Sequence, residues 1–120
     1  MENEIDRWIK RSEEDFETAK ANFKIRKYRF ASFLCQQAVE KALKALLLKK
    51  TKKIIRIHDL VELGKRVDIE NNYYDSLEKL TYVYVDSRYP DTSDKDYTLQ
   101  ETKEDLKIAE EVIKWIKKKI

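Results

Sequence analysis

Phe30-Ala31-Ser32-Phe33-Leu34-Cys35-Gln36-Gln37-Ala38-Val39-Glu40-Lys41-Ala42-Leu43-Lys44-Ala45-Leu46-Leu47-Leu48 is the longest apolar-periodic run in the chain, and it contains neither Gly nor Pro. On a helix, Ala31, Leu34, Cys35, Ala38, Val39, Ala42, Leu43, Ala45 and Leu46 spread across roughly half the circumference. That arc is wider than the ~100° stripe of an ordinary surface helix, so neighbours are expected on more than one side. Its middle is small (Ala31, Cys35, Ala38, Ala42), which lets other helices approach closely. Phe30, Phe33, Leu47 and Leu48 fall outside the arc, among Gln36, Gln37, Glu40, Lys41 and Lys44. An aromatic strip beside charges suggests a second contact, for which another copy of the chain is one candidate.

Composition narrows the class. The chain has 120 residues, 42% hydrophobic and 41% charged, with one Gly and one Pro, a combination that argues for long helices with solvated faces in one domain over 1–120. The net charge of +3 arises from 26 basic and 23 acidic residues, so no overall field selects nucleic acid as a partner. Cys35 is the only cysteine, which excludes an internal disulfide, and its place in the apolar arc reads as a small core residue. No apolar run reaches the length of a membrane span, and Met1-Glu2-Asn3-Glu4 lacks a signal-peptide pattern. A cytoplasmic protein without membrane contact is expected.

The first helix is predicted over 3–25, with Ile5, Trp8, Ile9, Ser12, Phe16, Ala19 and Phe23 inward and Arg7, Arg11, Glu14 and Thr18 opposite. Asn3 is its candidate N-cap. A break at Arg26-Lys27-Tyr28-Arg29 leads into the central helix, 28–50, and the lysines that follow complement its negative end. Asp59 with Glu62 has the form of an N-cap box for a short helix, which Gly64 is placed to end. Asn72 can cap a helix over 73–86, with Tyr73, Leu77, Leu80 and Tyr84 inward and Pro90 as its stop. Thr98 with Glu101 forms another capping box, starting a last helix with Leu99, Leu106, Ala109, Ile113, Ile116 and Ile120 inward. The expected fold is all-α: an antiparallel four-helix up-and-down bundle with an additional short helix.

Few chemistries fit these residues. One His and one Cys exclude a Cys/His zinc site in a monomer, and no Gly-rich phosphate loop is present, so no cofactor or metal is expected. His58 reads either as a structural residue at the entrance of the short helix or as a general acid or base. Arg88 and Tyr89 read either as an ion pair and a packed ring at a helix stop, or as a phosphate fork beside a stacking surface. Tyr28, Tyr82 and Tyr97 are further stacking candidates.

Three pieces together make the sequence resemble the HEPN domain family: Phe33-Leu34-Cys35-Gln36-Gln37-Ala38-Val39-Glu40-Lys41-Ala42-Leu43-Lys44-Ala45, then His58-Asp59-Leu60, then Ser87-Arg88-Tyr89-Pro90-Asp91. The resemblance implies a dimeric helical domain of the kind paired with minimal nucleotidyltransferases in two-subunit toxin–antitoxin systems, with nucleotide or RNA as ligand. Ribonuclease members of the family carry an Arg and a His separated by a short spacer, in the pattern Arg-x4-6-His. Here Arg88 is followed at the corresponding positions by Ser93, Asp94 and Lys95, so the resemblance implies no ribonuclease and assigns no catalytic residue. Arg88, Tyr89, Asp91, Lys41, Lys44 and His58 are the candidate nucleotide- or phosphate-binding residues. A divergent metal-independent ribonuclease using His58, or a ligand-free dimeric interaction module, are the alternatives.

Overall fold

The central helix owes its position to its own composition. In the computed structural model, which describes residues 2–88 and 96–120, α2 (Tyr28–Thr51) packs against α1 (Glu2–Lys24), α3 (Leu60–Arg66), α4 (Tyr74–Arg88) and α5 (Leu99–Lys119). Ala31, Cys35, Ala38, Ala42 and Ala45 are fully buried, and their lack of bulk is what lets four neighbours close on one helix. No strand occurs among the described residues, so the fold is all-α as the sequence indicates. The run Ile54-Ile55-Arg56-Ile57 is a connection that is neither helix nor strand.

Neighbours surround α2 more completely than one apolar arc predicts. Leu47 and Leu48, expected outside the arc, are buried in the core, whereas Leu34 is only partly buried. Gln36 and Glu40, expected on a solvated face, are buried at 0% and 6% exposure. Phe30 is exposed, as the aromatic strip requires, but Phe33 is half-buried. Burial pushes the Cys35 thiol well above its ordinary range, with the nearby Asp105 charge adding to the effect. That thiol is therefore no nucleophile at neutral pH.

The helix ends follow local chemistry, with some departures from expectation. α1 already includes Asn3 in its first turn, so Asn3 is not the cap. The chain turns through Arg26 at φ 64, and α2 ends on Lys52 at φ 63, both left-handed positions filled without glycine. Lys49 does satisfy helix-terminal carbonyls, but those of Lys119 and Ile120 at the end of α5, at 3.2 and 2.6 Å. Asp59 caps α3 as predicted, its Oδ1 accepting from the N–H groups of Val61 (2.9 Å) and Glu62 (3.3 Å). Thr98 caps α5 by accepting from the Glu101 N–H at 3.1 Å, while its hydroxyl donates to the Glu101 carboxylate.

Gly64 does not end α3. It lies inside the helix, buried, where a Cβ would come within 2.8 Å of Leu77 Cδ1 and 3.0 Å of Ile69 Cγ2. Its role is close approach of α3 to α4. Asn72 is likewise not a cap: it sits within a 3-10 turn, Asn71–Tyr73, that leads into α4. On α4, Leu77, Leu80, Val83 and Asp86 are buried, Tyr84 is half-buried and Val85 is exposed, while Tyr73, half-buried, belongs to the turn before the helix. On α5 the predicted Ala109, Ile113 and Ile116 are buried together with Thr102, Asp105, Ile108 and Val112. Leu99 and Ile120, expected inward, face solvent because they occupy the two ends of the helix.

Candidate functional site

Glu40 is the hub of the polar arrangement that the sequence scatters over four elements. Its position on α2 places Gln36 one turn before it and Lys44 one turn after it, on the same face. The Gln36 Nε2 donates to Glu40 Oε1 at 2.9 Å, and the Lys44 ammonium donates to Glu40 Oε2 at 2.9 Å. The Gln37 Nε2 in turn donates to the Gln36 side-chain Oε1 at 2.7 Å. His58, delivered by the connection just before the Asp59 cap, brings Nδ1 to within 3.0 Å of the same Oε2. Burial alone would raise the Glu40 carboxyl, but the bonds from Lys44, Gln36 and His58, with the Lys44 charge, hold it below the usual range. Glu40 is therefore an anion at neutral pH.

The His58 ring is also fixed from its other side. It stacks on Tyr84 of α4 with centroids 4.8 Å apart and planes 15° from parallel. The His58 side chain nevertheless keeps 53% of its surface open, so an oriented imidazole faces solvent beside a buried carboxylate. Position 88 follows Tyr84 by one helical turn, on the same face of α4. The end of α4 and His58 thus share one side of the molecule. The side chain of Arg88, together with Tyr89 and Asp91, lies outside the described residues.

Tyr97, just before the Thr98 cap, is held by both α4 and α2. Tyr97 donates its hydroxyl to the Asp86 carboxylate at 2.7 Å, and the Arg29 guanidinium of α2 stands 5.8 Å from the Tyr97 ring centroid. Burial, and then the Asp86 carboxylate, push the Tyr97 phenol far above its ordinary range, so it remains a hydrogen-bond donor. Of the other stacking candidates, Tyr28 packs against Phe23 with centroids 5.7 Å apart, and Tyr82 is exposed.

The two candidate lysines part company. Lys44 joins His58 at Glu40, whereas Lys41 turns to α1 and pairs with Asp15. Lys44 also stands 6.0 Å from the Trp8 ring centroid, which links the network to α1. Glu40, Tyr84 and Trp8 are the participants that residue patterns miss. The Gln36-Glu40-Lys44 spacing is the available signal, a ladder of bonding partners at single-turn intervals. Among the described residues no cluster of His, Cys, Asp and Glu could hold a metal ion, and no helix is long and apolar enough to cross a membrane.

The arrangement can orient an imidazole, keep a carboxylate ionised, and present cations next to an aromatic ring. It draws on the first two of the three pieces of sequence already singled out, and comparison with known proteins bears on the whole domain. The chain is 34% identical to "Putative toxin MJ1304" of Methanocaldococcus jannaschii, over 92% of this chain and 84% of that protein. The crystal structure of TT1696 from Thermus thermophilus superposes with a TM-score of 0.90 at 25% identity, covering 98% of this chain and 99% of the other. The crystal structure of ST0689, an archaeal HEPN homologue, gives a TM-score of 0.76 at 30% identity, covering 94% of each chain. The HEPN domain matches residues 5–120, which take in Glu40 and its ladder, His58 and the end of α4. With a match of that extent and a relative of that similarity, this chain belongs to the HEPN domain family.

Proposed function

We propose that this protein is the HEPN-type subunit of a toxin–antitoxin-like pair, working as a homodimer with a nucleotidyltransferase subunit and binding a nucleotide or RNA phosphate. The observation that carries the reading is the meeting of Lys44 and His58 at one ionised carboxylate, on the side of the molecule where α4 ends at Arg88. A relative described as a toxin supports the toxin–antitoxin class. In this reading Arg88 supplies the phosphate fork, Tyr89 a stacking face, Asp91 an acceptor for ligand hydroxyls, and Lys44 and His58 the opposing charge and hydrogen bonds, while Lys41 stays with Asp15.

The test is titration of the purified protein with nucleotides and short RNA, beside an Arg88→Ala variant. Loss of a charge-assisted fork is expected to weaken binding at least tenfold. Equal affinity in the two proteins would remove Arg88 from the site.

A second reading, ribonuclease activity, draws on one observation: an open imidazole held by a buried carboxylate is the orienting half of an acid–base pair. Incubating RNA with the protein and with His58→Ala separates the two. The binding reading expects intact RNA from both, with the nucleotidyltransferase partner absent. Cleavage that disappears in His58→Ala would establish the ribonuclease instead.

A further inference from the structure

A separate groove opens on the α1 side of the same network. It has a volume of about 300 Å³ and is lined by Glu4, Arg7, Trp8, Arg11, Lys41 and Ile54. Four of these residues come from the first three turns of α1, one from α2 and one from the extended connection before His58. That volume is at the lower end of small-ligand sites.

The charges in the groove are unequally committed. Lys41 is held by Asp15. Neither Arg7 nor Arg11 has an ion-pair partner among the described residues, although they stand one turn apart on α1, where like charges repel. Two guanidinium groups at this spacing weaken the isolated helix. Between them sits Trp8, anchored by packing on the buried cluster of Ile5, Ala45 and Leu48 and facing Lys44. Its remaining surface, with the exposed Ile54, forms the apolar part of the groove. Glu4 at one end is an acceptor for hydroxyl or amino groups.

We propose that this groove binds a nucleoside phosphate unit, its ring on Trp8 and Ile54 and its phosphate on the Arg7 and Arg11 guanidinium groups. The inference rests on the nucleotide- or RNA-binding reading above and adds to it a phosphate contact on α1, separate from the one that reading gives to Arg88. A guanidinium pair offers paired donors in a plane, which matches phosphate oxygens. An indole stacks on any base, so the site selects for the phosphate and the ring and not for one base. A free nucleotide and the terminal unit of an RNA strand present the same chemistry here.

The Trp115→Phe protein leaves Trp8 as the only tryptophan, so its fluorescence reports on the groove. Titration with ADP and with a five-nucleotide oligoadenylate is expected to quench it saturably. The exposed Arg7→Gln/Arg11→Gln pair should weaken binding tenfold or more while leaving the helical circular dichroism unchanged. Quenching by ADP identifies the free nucleotide as ligand; quenching by the oligonucleotide alone identifies RNA. Unchanged affinity in the double arginine variant overturns the proposal. So does binding in equilibrium dialysis without quenching, and loss on Arg88→Ala would then place the ligand at the end of α4 with the broader reading intact. Absence of binding by either method ends both.

Discussion

Asp105→Asn is expected to make the protein more stable at pH 7.5 and less stable at pH 4. Asp105 on α5 is 2% exposed, and its Oδ1 has no hydrogen-bond partner. The nearest cation, the Lys79 ammonium, stands 3.8 Å away and is shared with Glu104 at 3.1 Å. Burial raises the Asp105 carboxyl to about 6, against smaller opposing pulls from Ser32 and Lys79. Ser32 is itself engaged with Thr102 at 2.9 Å. The sign follows from the direction. A carboxyl whose folded value lies above its ordinary 3.8 binds its proton more tightly when folded. Its contribution to stability is therefore complete below pH 3.8 and is lost as pH rises through about 6. Moving a carboxyl from 3.8 to about 6 corresponds to about 3 kcal/mol. The amide removes that ionisation but adds a buried donor, so a net gain of about 1–2 kcal/mol at pH 7.5 is expected. Urea unfolding at the two pH values measures it. An equal effect at both would mean that the gain has nothing to do with ionisation.

Asp105 also shows where sequence reading runs out. The last helix is legible from the Thr98 box and from Ala109, Ile113 and Ile116, because capping and period are local properties of the chain. That a carboxylate one turn before Ala109 is buried depends on α2, which presents Ser32 and Cys35 opposite it; no window on α5 contains that information. The same limit applies to α2. Its extent, 28–51 against the expected 28–50, follows from a long run without helix breakers. Its polar side looks solvated because Gln36, Glu40 and Lys44 are polar, yet each satisfies another, and a satisfied ladder can be buried. Glycine often ends helices, and only the approach of Leu77 shows that at Gly64 the missing side chain is the point.

The candidate site divides in the same way. His58 is a candidate because of its residue type and Lys44 because of the family resemblance, and the structure brings the two to one carboxylate. Lys41 is equally basic and equally placed on α2, but Asp15 of α1 claims it. The helical period puts Arg7 and Arg11 on a solvent face, which is correct for the helix alone. The groove they line exists only once the 52–57 connection passes alongside, carrying Ile54.

Glu40→Ala is expected to be among the most damaging single substitutions in the protein, at about 3–5 kcal/mol. The carboxylate is 6% exposed and receives Gln36, Lys44 and His58. Its removal leaves the Lys44 ammonium, on a side chain only 10% exposed, without a counter-charge, and strands a donor on the fully buried Gln36. Trp8 at 6.0 Å offsets little of that loss. His58, already open to solvent, loses its orientation while keeping its stack on Tyr84. Glu40→Ala/Lys44→Met removes both charges and should recover a large part of the stability, since an apolar pair is tolerated where a lone buried cation is not. Urea unfolding of the single and double variants at pH 7.5 measures the recovery. The pH dependence runs opposite to that of Asp105. Because Glu40 titrates below its ordinary range, its contribution is present above that range and is lost as pH falls through its folded value. The gap between wild type and Glu40→Ala should therefore narrow in acid. A gap that persists below pH 3 would assign the damage to the lost side-chain volume, and Glu40 would then be a packing residue and not the charge that organises His58.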